Sequence, residues 1–178
     1  MDSINAQQQE QNRDDLQGAK AIAKITELVK SASTCFFCTA LDSGQPFATR
    51  PMSVQQIDGQ GQLWFLSASD SKKNQELASD PRVQLLFQAS AHSDFLSLHG
   101  TAAVTTDKAK IKELWQPLLK TWFTDGIDDP RITVIQVRPE GGYYWDTKHG
   151  RAVAFAKMAV GAMTGKTLDD SIEGRLKV

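Results

Sequence analysis

Three apolar runs crowd into residues 34–67, joined by turns too short to hold a helix, and this spacing limits the folds open to the chain. Residues 34–41 (TCFFCTAL) are rich in aromatic and β-branched side chains. Asp42-Ser43-Gly44 then signals a turn, 47–57 reads as a second strand, Asp58-Gly59-Gln60-Gly61 as another tight turn, and 62–67 as a third strand. Strands joined this closely form an antiparallel meander and not a βαβ unit.

The rest of the chain extends the pattern. Residues 1–15 are polar and Gln-rich and read as a flexible tail. Residues 16–31 form a helix with Ala19, Ile22, Ile25, Leu28 and Val29 near one face. Strands follow at 82–89, within 91–106 and at 131–138. Pro139-Glu140-Gly141-Gly142 reads as a turn, and Tyr143-Tyr144-Trp145 starts a last strand. Asp107 is placed as an N-cap before a stripe of Ile111, Leu114, Trp115, Leu118, Leu119 and Trp122, and Pro117 divides that stripe into two pieces. Trp115 and Trp122 are expected to pack in the core or against a second copy. Residues 152–163 read as helix, and the stretch to Val178 as a poorly ordered tail. The resulting division is 1–15 tail, 16–150 domain, and 151–178 helix and tail. Six or seven short antiparallel strands with two or three helices indicate a mainly β protein, a closed or partly closed barrel with helices outside.

Composition narrows the function. The chain has 178 residues and near-balanced charge, 21 acidic against 20 basic, net −1, so no global field draws nucleic acid or an anionic membrane. The N-terminus lacks an apolar stretch behind a positive start, and no apolar run approaches membrane-spanning length; a soluble, cytoplasmic protein is expected. Cys35 and Cys38 form a C-x-x-C, but in a strand residues three apart are ~10 Å apart, beyond disulfide reach. Buried, inert thiols are expected. The three histidines, His92, His99 and His149, show no metal-ligand spacing, and no Ser/His/Asp or paired-carboxylate constellation stands out.

Two stretches carry chemistry. In 64–77 (WFLSASDSKKNQEL) a strand ends in hydroxyl residues and runs into a helix with Lys72 and Lys73 in its first turn. Lysines there oppose the helix dipole unless an anion joins them, when N–H groups, the Ser71 hydroxyl and the ammonium groups converge on it. A phosphate site is one reading; a solvated helix start is the other. The second stretch is Arg50-Pro51-Met52-Ser53. A proline within a strand belongs at an edge or bulge, and the neighbouring arginine is a forked donor for phosphate or carboxylate. In a meander the two stretches adjoin. A strand edge beside a phosphate-binding turn suits a planar phosphorylated cofactor.

The order ATRPMSV, GQLWFLSASDSKKNQEL, DPRVQLLF, then a strand ending in HG before a helix, resembles the flavin-binding split-barrel proteins related to pyridoxamine 5′-phosphate oxidase, and within them the general stress protein 26 group. The resemblance spans roughly residues 19–146. It implies a six-stranded antiparallel split β-barrel with flanking helices, forming a homodimer with FMN at the interface; FAD or deazaflavin are the alternatives. It implies that Arg50, Pro51, Met52 and Ser53 border the flavin ring, that Leu66 and Ser67 lie near the ribityl chain, that Ser71, Lys72 and Lys73 hold the phosphate, and that Trp145 reaches the site from the second subunit. The oxidase's Arg-x-His-Asp-Arg motif is replaced by Asp146-Thr147-Lys148-His149-Gly150-Arg151, which argues against true oxidase activity on pyridoxamine phosphate. The resemblance leaves an FMN-dependent oxidoreductase of unknown substrate, a non-catalytic flavin store or sensor, or a barrel interaction module without cofactor.

Overall fold

A single strand, β8 (Ile132–Thr147), organises the sheet. The computed structural model describes residues 12–42, 46–90, 93–149 and 170–178. Along one edge β8 pairs antiparallel with β7 (Phe95–Thr105) for nearly its whole length. Its other edge is shared: the first half pairs with β5 (Leu63–Ala68), the second with β9 (Ser171–Lys177). Beyond β7 the sheet continues through β6 (Arg82–Gln88) and β2 (Thr34–Thr39) to β3 (Ala48–Ser53), the terminal strand among the described residues. At the other end β9 pairs in parallel with the short β1 (Leu16–Gln17), and β4 (Gln56–Ile57) pairs, among the described residues, only with β5.

The architecture is therefore mainly β, but among the described residues the sheet has nine strands, one parallel strand pair and no closure, where a six-stranded antiparallel barrel was expected. Three further expectations change. Pro139-Glu140-Gly141-Gly142 is not a turn and runs inside β8. A register shift between His99 and Gly100 opposes it, and a bulge tolerates a proline that cannot donate to the ladder. The small residues there are demanded by close backbones: a Cβ on Gly142 would lie 2.2 Å from the Ser97 carbonyl oxygen, and one on Gly100 2.1 Å from that of Arg138. Second, part of the expected C-terminal tail is strand β9. Third, residues 12–15 of the expected N-terminal tail lie along it, with the Asp14 N–H donating to the Glu173 carbonyl (2.9 Å) and the Tyr144 hydroxyl to that of Asp14 (2.9 Å). Pairing with a distant segment overrides weak local propensity. The turn at 42–44 and the helix at 152–163 fall outside the described residues, wholly or in part.

Two cores result. In the first, α1 (Ala19–Ala32) buries Ala21, Ile25, Leu28 and Val29 against Phe37, Phe65, Leu85, Leu98 and Ile135; Ala19, placed on this face by its spacing, is exposed instead. Phe37 and Phe65 meet edge-to-face with centroids 5.2 Å apart. In the second, α3 (Lys108–Leu114) and the 3-10 segment Pro117–Thr121 cover Leu66, Ile132 and Val134. Strand β5 and the first half of β8 are thus buried on both faces, which is why they read as near-continuous apolar runs. The Asp107 carboxylate caps α3 by accepting from the Ala109 and Lys110 N–H groups, and Pro117 starts the separate 3-10 piece, both as expected. Cys35 and Cys38 are buried free thiols, with burial first and the neighbouring Cys38 second pushing the Cys35 thiol up to about 12. No helix among the described residues is long and apolar enough to cross a membrane.

Candidate functional site in the wedge between two strands

The site arises where the expected second strand divides. Its first part, β3, pairs with β2, with Pro51 opposite Phe36. At Val54 the N–H still reaches back to the Ser33 carbonyl (2.9 Å), but the Gln55 N–H already donates to Trp64 on β5 (2.8 Å). The chain changes partners within two residues, so β3 and β5 diverge. They are not the paired neighbours a simple meander implies. The wedge between them is a cavity of about 450 Å³.

Three walls enclose it. The open edge of β3 supplies Arg50, Pro51, Met52 and Ser53; the end of β5 and the start of α2 (Lys72–Ser79) supply Leu66, Ser67 and Lys73; and 116–123 supplies Leu118, Leu119 and Trp122 among others. Seven residues singled out from the sequence therefore meet here across three elements. Leu118 and Trp122 are strongly exposed, 72% and 64%, so Trp122 is a cavity wall and not core of this chain. Pro117 is the signal that foretold this: it stops the helix, and the helical phase that would have buried Trp122 with Ile111 ends there.

Three anticipated residues lie off the wall. Ser71 stands at the N-cap of α2, yet its hydroxyl makes no cap bond. It joins a polar knot in which Asn74 Oδ1 faces the Ser67 (2.9 Å) and Ser71 (3.3 Å) hydroxyls, Asn74 Nδ2 donates to Thr133 Oγ1 (2.8 Å), and Thr133 donates to the Ser67 carbonyl (2.9 Å). This knot fixes the β5–α2 turn to β8. Lys72 points outward with 82% of its side chain exposed, 3.9 Å from Glu76. Trp145 lies on the outer face of β8, half-exposed, its ring 4.7 Å from that of Tyr143. His149, which shows no metal-ligand spacing in the sequence, pairs through Nδ1 with the buried carboxylate of Asp170 (2.6 Å).

The charge at the wedge comes from Arg50 and Lys73. Arg50 is already clasped: Nη1 donates to Thr39 Oγ1 (2.5 Å), and Nη2 to Glu76 Oε2 (2.8 Å), which also accepts from the Thr39 hydroxyl (2.6 Å). Burial pushes the Glu76 carboxyl up, but the Thr39 and Arg50 hydrogen bonds and the cations of Arg50 and Lys72 outweigh it, so Glu76 lies below the ordinary carboxylate range. Among the described residues no carboxylate is within ion-pair distance of Lys73. Burial first, and then the Arg50 charge, hold its ammonium below the ordinary lysine value, with Asp70 opposing. A half-buried lysine depressed by a second cation is a site that an anion stabilises.

A family model described as "Pyridoxamine 5'-phosphate oxidase like" matches residues 20–169. The chain belongs to the pyridoxamine 5′-phosphate oxidase-like family. Protein bli-3 of Neurospora crassa is 31% identical over 127 residues, 66% of this chain and 61% of that protein. General stress protein 26 of Bacillus subtilis is 25% identical over 81 residues, 44% of this chain and 57% of that protein. The chain thus matches less than two thirds of the length of either relative. A solved structure described as a general stress protein 26 from Jannaschia sp. CCS1 superposes with a TM-score of 0.75 at 22% identity, covering 90% of this chain and all of that one. This likeness shows the fold. A general stress FMN/FAD binding protein from Xanthomonas citri has a TM-score of 0.58 at 27% identity, covering 69% and 86%.

Within this family frame, the sequence missed the clasp. Thr39, Arg50 and Glu76 come from three elements, and no spacing in the chain links them. The aromatic wall of 116–123 was visible as an apolar stripe, but its destination was not.

Proposed function

We propose that the chain binds a flavin, FMN first among the candidates, in the wedge between β3 and β5, and acts as a flavin-dependent oxidoreductase. The observation that carries this reading is the meeting, across one cavity, of a strand edge left open among the described residues with the half-buried Lys73, which no described carboxylate pairs. The cavity of about 450 Å³ falls in the ~300–1,000 Å³ range of small-molecule sites. The β3 edge facing the cavity would offer backbone hydrogen bonds to the polar rim of a flavin ring, Pro51 contributing a carbonyl but no N–H. Met52 and Leu66 offer apolar contact, and Lys73 takes the phosphate as a charge-assisted partner. Arg50 adds a fixed positive charge nearby. A bound flavin supplies hydride or single-electron exchange; the protein positions it and sets its electrostatic surroundings.

Among the described residues lining the cavity there is no histidine and no carboxylate. The wall therefore binds and orients, and Lys73 is its one described titratable side chain besides Arg50, so any proton the protein gives to an acceptor comes from that ammonium. So sparse a wall keeps a second reading in play, a flavin-holding stress protein without turnover.

A homodimer belongs to the proposal. Pro51, Phe36 and Leu86 stand opposite one another on β3, β2 and β6, and all three are exposed. Pro51 also lines the cavity, so a second copy seated on this apolar row would border the flavin.

The absorption spectrum of freshly purified protein tests the reading, with chromatography of whatever acid or heat releases. A yellow protein releasing FMN supports it, and FAD or deazaflavin in its place would change the cofactor alone. A colourless protein that takes up no added flavin overturns it. Turnover with reduced nicotinamide and a panel of acceptors then separates the enzyme from the store.

A further inference from the structure

The clasp around Arg50 has the form of a closed ring. Arg50 bonds Thr39 and Glu76, and Thr39 bonds the same Glu76 oxygen, with distances of 2.5, 2.8 and 2.6 Å. A third bond runs from Arg50 Nη1 to the Phe37 carbonyl at 3.4 Å. Thr39 is fully buried, and the side chains of Arg50 and Glu76 are 23% and 12% exposed. Of the five N–H donors of a guanidinium, three are used by these bonds, which leaves two for a ligand. A surface ion pair holds an arginine loosely. This one is held from two sides in a partly buried setting, and it joins α2 to the strand edge that β5 does not reach.

We propose that Glu76 is a positioning residue of the flavin site: with Thr39 it holds the Arg50 guanidinium at the open edge of β3, so that Arg50 and Lys73 present a fixed pair of charges to the phosphate end of the ligand. The inference rests on the flavin reading above and adds a specific role within it. Glu76 does not line the cavity; it acts through Arg50. Without the clasp the long arginine side chain gains rotamer freedom, and any ligand contact must then bear the cost of ordering it.

The idea competes with a simpler account in which Glu76 only offsets positive charge. The two predict opposite signs. If Glu76 merely offsets charge, removing its carboxylate makes the wedge more cationic and tightens a phosphate-bearing ligand. If it positions Arg50, removal weakens that ligand.

The experiment is titration of FMN and of riboflavin, which lacks the phosphate, into the apoprotein of wild type, Glu76→Ala, Glu76→Gln and Thr39→Val, with a thermal midpoint for each. Glu76→Ala is expected to weaken FMN about tenfold and to leave riboflavin within about twofold, the scale of one charge-assisted hydrogen bond. Glu76→Gln keeps an acceptor without charge and falls between wild type and Glu76→Ala. Thr39→Val keeps the shape of the buried side chain, removes its hydroxyl, and weakens FMN in the same direction. FMN binding that is unchanged or tighter in the Glu76 variants overturns the inference while leaving the cofactor reading intact. Equal losses for FMN and riboflavin overturn it too, because they mark a purely structural role. Should Glu76→Ala not fold, the FMN-to-riboflavin ratio in Thr39→Val decides. Wild-type protein that takes up neither flavin removes the cofactor reading and this inference together.

Discussion

Two ion pairs of nearly the same geometry tie helices to this sheet, at regions with opposite purposes. Lys24 on α1 meets Asp146 on β8 at 2.9 Å, and Arg50 on β3 meets Glu76 on α2 at 2.8 Å. Around the first pair the backbone is sealed. The second half of β8 lies between β7 and β9, the Tyr144 hydroxyl is bonded to Asp14, and a Cβ on Gly174 would sit 1.8 Å from the Asp14 carbonyl oxygen. Around the second pair the backbone is open. Among the described residues β3 has a partner on one side only, and a cavity fills the space where β5 diverges. Similar polar bonds therefore do different work: one joins surfaces already held by a ladder, the other spans a gap that no ladder crosses.

The largest effect that would break the comparison lies on the sealed side. Gly142→Ala places a methyl against the Ser97 carbonyl and is expected to cost ~3 kcal/mol or more, by forcing two paired strands apart. Urea unfolding reads it. Flavin affinity of the protein that remains folded should be unchanged; a parallel loss would mean that the two regions are not independent.

Next comes the knot at the base of the open side. Asn74→Ala leaves the Ser67, Ser71 and Thr133 hydroxyls short of a shared partner and is expected to cost ~2 kcal/mol, with a loss of flavin affinity because Lys73 follows directly on the loosened turn. Thermal unfolding and a flavin titration measure the two parts.

A cleaner division comes from the adjacent lysines. Lys73→Ala should weaken FMN by ~1–3 kcal/mol while leaving the apoprotein as stable as wild type or slightly more so, since its buried charge lacks a carboxylate among the described residues. Lys72→Ala should change either quantity by less than ~0.5 kcal/mol, because its side chain is in water. Equal effects from the two would assign the phosphate to the helix start as a whole.

The smallest effect is in the pH dependence. Both Asp146 and Glu76 are held below their ordinary values. For each, burial acts upward and is outweighed, by Lys24 and the Thr147 N–H at Asp146, and by Thr39 and Arg50 at Glu76. A depressed carboxyl contributes stability that is present above its unfolded value and lost as pH falls through the folded one. Both ties therefore weaken on the acid side, below about pH 4. Glu76→Gln should flatten that limb of the unfolding free energy, read by urea titration across pH, by no more than ~1 kcal/mol, the scale of a partly exposed pair. An unaltered limb would leave the acid response to Asp146 and the sealed side.

Much of this molecule is legible without coordinates. The Phe37 and Phe65 strands, the α3 cap at Asp107 and the break at Pro117 follow from patterns a few residues long. So does the meeting of Arg50–Ser53, Leu66, Ser67 and Lys73 around one cavity, though the argument that placed them together, pairing of adjacent strands, is not how the chain does it. The C-terminal strand was missed because SIEGRLK has little strand character by itself; its order comes from β8 and β1 on either side. The glycines at 141 and 142 were misread for a related reason. In sequence a Gly-Gly pair after proline signals a turn, whereas here it marks close backbones in a continuous strand.

What the sequence determined alone is what local physics can determine: alternation, capping, helix breaking, buried thiols, and a strand-to-helix turn whose lysines oppose the helix dipole. Tertiary structure decided the rest. It chose Lys73 over Lys72 for the cavity and turned Arg50 toward Glu76 and Thr39. It also made Trp122 a wall and converted a strand division at Val54 into a wedge. Each of these depends on which distant backbone reaches a given edge first, and that competition is settled only when all the strands are assembled together.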